Sequence, residues 1–157
     1  MKTVILALLS LAIASPAVAL SCMAPDAVRL YEQARDSEDT FVAVRGRIDL
    51  SEPAQAPDPD TETPAITHAV MSGYALTSHG FGAIFNRPIQ IEATCFGPWC
   101  GSAEGFEGEQ LAMLKVGDDT AYTLAADPCG GAAMAWSKDG EQRLLACHRT
   151  GRCLAAE

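Results

Sequence analysis

Three observations predict a mainly β domain with flanking helices, built as a small five-stranded, OB-like β-barrel stapled by disulfides. Short alternating apolar stretches, separated by turn residues, recur between Thr40 and Ala126. Gly46 interrupts the apolar face of the first stretch, where a barrel strand bends. Six cysteines follow an amino-terminal export signal, and exported cysteines pair.

Residues 1–19 read as a signal peptide. Lys2 gives the positive start, Val4 to Ala14 the apolar run, and Ala17-Val18-Ala19 the small residues of a cleavage site. The run is shorter than the ~20 apolar residues of a membrane-spanning helix, and no later stretch approaches that length. Residues 20–157 then form a single exported domain, periplasmic or extracellular. Cys22 lies close enough to the signal to raise a lipid anchor, but Ala19 stands where a lipoprotein box wants leucine.

Residues 25–38 have a helical period. Ala27, Leu30, Tyr31 and Ala34 make one stripe, and Pro25 and Asp26 suit a first turn. Thr40 to Leu50 reads as a strand, with Val42, Val44, Ile48 and Leu50 on one face and Arg45, Arg47 and Asp49 on the other. Ser51 to Pro64 holds four prolines and four acids and reads as a long, mobile, acidic loop. Ile66 to Ser78 follows as a strand broken at Gly73, then a turn at His79-Gly80-Phe81-Gly82. Pro88 to Phe96 alternates cleanly. Gln110–Val116 and Thr120–Ala126 form a hairpin around Gly117-Asp118-Asp119. Beyond Cys129-Gly130-Gly131, Ala132 to Trp136 reads as a helical turn and Glu141 to Arg149 as a helix.

Cys22, Cys95, Cys100, Cys129, Cys147 and Cys153 allow three bridges in fifteen connectivities. Other cysteine chemistries fit worse. Cys95-Phe96-Gly97-Pro98-Trp99-Cys100 has four residues between its thiols, where a dithiol redox site has two. Cys147-His148 lacks the cysteine three positions earlier that haem attachment needs, since Leu144 is there. Paired close spacings for zinc are absent from the sequence.

The formal net charge of −9 repels phosphate backbones and anionic lipid, which disfavours nucleic acid as a partner. His68, His79 and Met71 flank one predicted strand and raise a copper site, while His148 lies far along the chain; scattered histidines are more often unrelated. No G-x-S-x-G nucleophile motif occurs. Phe41, Phe81, Phe85, Phe96, Trp99 and Trp136 read more readily as core than as a ligand platform, with Trp99 the exception. Trp99, between Pro98 and Cys100, reads as an exposed anchor.

The residues resemble the netrin-like family, which includes the tissue inhibitors of metalloproteinases. The likeness rests on Cys22 soon after the signal and Phe41-Val42-Ala43-Val44-Arg45-Gly46-Arg47-Ile48. It continues through Cys100-Gly101, Gly108, Leu111-Ala112-Met113-Leu114, Cys129, Trp136 and Glu141-Gln142 to Leu144-Leu145. It touches most of residues 22–147 through short motifs. The resemblance implies an OB-type barrel, a bridge from Cys22 toward Cys100, and possible inhibition of a protease by a chain that starts at Cys22. Cleavage after Ala19 leaves Leu20-Ser21 ahead of Cys22 and blocks that chemistry; cleavage after Ser21 permits it. Ala24 stands where the inhibitors carry a second cysteine.

The sequence thus leads to a non-enzymatic, monomeric binding module with no cofactor, contacting a protein or envelope component. Cys22, Phe96, Pro98 and Trp99 are the binding candidates, on surfaces around Gly97–Gly101 and Ser51–Pro64. The rival is a small secreted hydrolase or metal-binding protein.

Overall fold

A computed structural model describes residues 21–155. The expected signal, residues 1–19, lies outside them. The chain is mainly β with two helices and three disulfides.

Helix α1 spans Ala27–Arg35. Asp26 caps it by accepting from the amides of Val28 and Arg29. Strand β1 follows at Phe41–Leu50, β2 at Ala65–Thr77 and β3 at Gly80–Ala93. Two short strands, β4 at Cys95–Phe96 and β5 at Trp99–Cys100, form a separate hairpin. A 3-10 turn at Ala103–Phe106 leads into β6, Gly108–Val116. Strand β7 is Tyr122–Ala126, β8 is Ala133–Ala135, and α2 is Lys138–Thr150, capped by Ser137 and ended by a left-handed Gly151.

Followed from partner to partner, the strands run β1 to β2 to β3 to β7 to β6 and back to β1, with β8 added outside β6. The β3–β7 pairing is parallel; the others are antiparallel. A parallel pair needs a long connection. The hairpin, the 3-10 turn and β6 supply it.

The alternation read in β1 is realised. Val44 and Ile48 are fully buried, with Val42 and Leu50 against them, in a cluster that includes Met71, Phe85, Ile89, Ile91, Leu114 and Leu124. Phe41 and Ala43, on the other face, join a second cluster with Leu111, Met113, Leu144 and the α1 stripe Ala27, Leu30, Tyr31 and Ala34. Strand β6 feeds both clusters, so five consecutive residues, Gln110 to Leu114, are buried. The helices pack on each other over this second cluster. Arg143 Nη1 of α2 also meets the nearly buried Asp26 carboxylate at 2.7 Å.

Gly73 does not break β2. It sits opposite Gly46, and the two strands approach so closely that a Cβ on Gly46 would lie 2.3 Å from the Ser72 carbonyl oxygen. The glycine expected to mark a bend is thus one half of a close crossing. An irregularity in the ladder occurs later, between Ala75 and Leu76, opposite Phe81 to Ala83.

Four other expectations are corrected. Ala132–Trp136 is not a helical turn: Ala133–Ala135 is β8, because its amide and carbonyl groups find the free side of β6. A three-residue apolar run has too little length to display a period. Strand β3 starts at Gly80, so the expected turn at 79–82 shrinks to Ser78-His79. The count of five strands omits β8 and the hairpin. Cys22 bonds Cys129, not Cys100, because Cys100 is taken by Cys95 five residues earlier; Cys147 bonds Cys153.

Candidate functional site

The Cys95-to-Cys100 segment is a closed tip. Gly97 takes a positive φ of 57°, which lets the chain reverse over Gly97-Pro98. The reversal sets Phe96 opposite Trp99 and Cys95 opposite Cys100, where the disulfide locks the pair. The base is tied as well. The Gly101 amide donates to the Thr94 carbonyl at 2.8 Å, and the Thr94 amide to the Ala126 carbonyl at 3.0 Å. With both ends fixed, the tip presents Phe96 at 67 % exposure, with Pro98 exposed and Trp99 half-buried.

The other candidate surface rejoins the sheet beside this tip. Residues 51–64 run into β2 at Ala65, and Ala65 pairs with Ala93, the last residue of β3 before the tip. The first part of the loop is held. The Ser51 amide donates to the His68 carbonyl, and the Gln55 amide to Thr67 Oγ1 at 2.8 Å, which satisfies a fully buried threonine. Asp58, Asp60 and Glu62 lie exposed further along. Cys22 stands apart from Phe96 and Trp99, at the turn of Asp127 to Gly131. Pro25, Cys100, Ser102 and Pro128 line one groove of about 380 Å³, so the amino-terminal segment and the tip base are neighbours although unbonded.

A further cleft, of about 570 Å³, was not legible in the sequence. His68, Arg87 and Gln90 face Asp119, Thr120 and Tyr122 across it. The turn opposite β3 is built by Asp119 Oδ1, which accepts from the Ala121 amide at 3.0 Å, and it holds Thr120 at φ 63°, a region that β-branched residues rarely enter. The doublet Asp118-Asp119 after Gly117 was its one local signal. Arg87 makes no ion pair among the described residues, so the cleft has a cation to offer an anionic group.

The three histidines do not gather. His68 Nδ1 lies 2.7 Å from Glu52 Oε1, His79 Nδ1 meets Ser78, and His148 bridges Tyr31 and the Thr77 carbonyl. Met71 is fully buried in the core. Among the described residues, no three side chains of metal-binding type cluster. Trp136 is structural. Its Nε1 donates to Glu141 Oε2 at 2.6 Å, and Arg45 covers its ring at 4.6 Å while pairing with the same carboxylate at 3.0 Å.

Glu52 accepts from both the ring and the backbone amide of His68, and these bonds hold its carboxyl below the ordinary 4.5, the ring bond first. A lowered folded value means that the contact stabilises above pH 4.5 and is lost as the pH falls through the folded value. Carbon-detected NMR titration is expected to place the Glu52 midpoint below 4.5. His68→Ala is expected to raise it part of the way back, because the backbone bond survives. An unchanged midpoint in that variant contradicts the assignment.

Compared with family models, curated proteins and solved structures, the chain matches none of them.

Proposed function

We propose that this chain is an exported, OB-type barrel module that binds a protein or envelope component through the disulfide-closed tip at Cys95–Cys100. The barrel reading is supported by the strand pairings that return to β1 and by the parallel β3–β7 contact. Export is supported by the signal-like residues 1–19 and three disulfides. A netrin-like origin remains part of the proposal on its short motifs, without the bridge that it implied.

The observation that carries the binding reading is the exposure of Phe96 on a turn that cannot fold away. An exposed aromatic on a mobile loop collapses onto the nearest apolar surface. Here the cross-link and the two backbone bonds at the base prevent that. Aromatic anchors presented without ordering cost suit protein contacts. The loop that carries Asp58, Asp60 and Glu62 rejoins the sheet at Ala65, opposite the last residue of β3 before the tip, so the complementary surface is an apolar pocket with a basic rim.

A photo-crosslinking residue placed at Phe96, in the cells that make the protein, is expected to trap a discrete partner. The same residue at exposed Lys138 on α2 is expected not to. The adduct at position 96 is expected to vanish when Cys95→Ser and Cys100→Ser open the tip. Identical adducts from both positions, or none from position 96, overturn the proposal.

A further inference from the structure

Among the described residues, the second edge of β3 is open along most of its length. Strand β3 pairs with β2 along its whole length, but with β7 only from Gln90 to Ala93. Among the described residues nothing pairs with the outer side of the segment from Gly80 to Ile89. Gly82, Ala83, Ile84 and Asn86 are exposed, and Ile84 is the most exposed large apolar residue described, at 86 %. Its cross-strand neighbour on β2 is Tyr74, itself 49 % exposed. Among the described residues, two of the five exposed large apolar side chains therefore stand side by side, Ile84 at the open edge and Tyr74 one strand in.

The backbone direction along this edge follows from β7. The Thr94 amide donates to Ala126 on the β7 side. Backbone groups of an extended strand alternate sides with period two. Asn86 and Ile84 therefore aim their N–H and C=O groups out of the edge. Pro88, at the same parity, has no N–H and blocks the edge at that end. The ladder irregularity opposite Phe81 to Ala83 bends it at the other. The open window is thus short and centred on Ile84.

We infer that this window is a homodimer interface, filled by antiparallel pairing with β3 of a second copy. The charge pattern argues for that occupant. The chain carries a net −9, yet Gly80 to Asn86 contains no ionisable side chain, so two copies meet there with no like charges opposed. With the two-fold axis at Ile84, the two Ile84 residues exchange both backbone bonds, and Asn86 faces Gly82 of the second copy. Arg87 then falls opposite Phe81 and not opposite another arginine. The outer face becomes a continuous row of Tyr74, Ile84, Ile84 and Tyr74, in which each Ile84 packs between its own Tyr74 and the Ile84 of the other copy. Such pairing uses the same edge of both molecules and stops at two. It departs from the monomer expected at the outset.

Sedimentation equilibrium on the purified, oxidised protein is expected to show a reversible monomer–dimer transition. Ile84→Lys, which sets two cations on the axis, and Asn86→Pro, which deletes an outward amide, are each expected to move it at least about tenfold to higher concentration, with unchanged far-ultraviolet circular dichroism. The register has its own test. In an antiparallel hydrogen-bonded pair, opposed Cα atoms lie about 5.5 Å apart, within disulfide reach. Ile84→Cys is therefore expected to give a covalent dimer on mild oxidation, and Tyr74→Cys, one strand further from the axis, is not. A monomer at every concentration, an open series of larger oligomers, or cross-linking equal at both positions overturns the inference.

Discussion

Replacing Cys22 and Cys129 together by serine is expected to cost about 5 kcal/mol of stability, the largest loss of any single bridge. The bond spans 107 residues, whereas Cys95–Cys100 spans 5 and Cys147–Cys153 spans 6. Chain entropy lost from the unfolded state grows with the logarithm of the closed loop, which gives about 4.8 kcal/mol for the long bridge and about 2 for each short one. Typical domain stability is ~5–15 kcal/mol, so the long bridge alone approaches the lower limit. Its position adds to the effect. It pins the residues just before Asp26, whose carboxylate caps α1 and pairs with Arg143 of α2. Urea unfolding of the three double-serine variants checks the order. Equal losses from all three contradict the entropic account and place the contribution of these bonds in the folded state.

Gly46→Ala is expected to cost about 3 kcal/mol or more and to lower Tm by about 10 °C. The new methyl would meet the Ser72 carbonyl oxygen at 2.3 Å and the Gly73 Cα at 2.8 Å. These are backbone atoms in the middle of a paired strand, so relief requires β1 and β2 to move apart and to pull on ladders that also hold β3 and β6. Gly82→Ala is the matched comparison. It lies in a strand too, but a Cβ there meets nothing within 4 Å, and its expected effect is within about 0.5 kcal/mol. Thermal melts of the two variants separate a packing constraint from a general dislike of alanine for glycine positions. A small effect at Gly46 contradicts the close crossing.

The elements that the sequence displayed were those whose two faces meet different surroundings. Strand β1 sets Val44 and Ile48 against Arg45 and Arg47, and α1 sets its stripe against polar neighbours; both were legible. The turn of Gly117 to Asp119 likewise marked the β6–β7 hairpin. The first half of β3 was hidden because neither face is covered there: Gly82, Ala83 and Ile84 are all exposed, so no alternation appears. Strand β8 was hidden because its three residues are too few to display a period. Cysteine pairing depends on which loops the closed strand order brings together, and no local spacing encodes that. The loop position of Pro98 and Trp99 was marked by Gly97 and Pro98 beside them, whereas the exposure of Phe96, which read as core, was not. The cleft of His68, Arg87 and Tyr122 was not legible, since it joins three distant stretches of chain.

The two tryptophans stand in unlike electrical surroundings. Trp136 lies under a guanidinium and bonds a carboxylate, while Trp99 sits beside a disulfide at a half-wet surface. A disulfide can quench a nearby indole by accepting an electron, so the Trp99 emission is expected to be weak while Cys95–Cys100 is closed and stronger when that bond opens. Phe replacement of Trp136 leaves one optical signal at the tip, and a molecule that settles there changes its colour without any label attached.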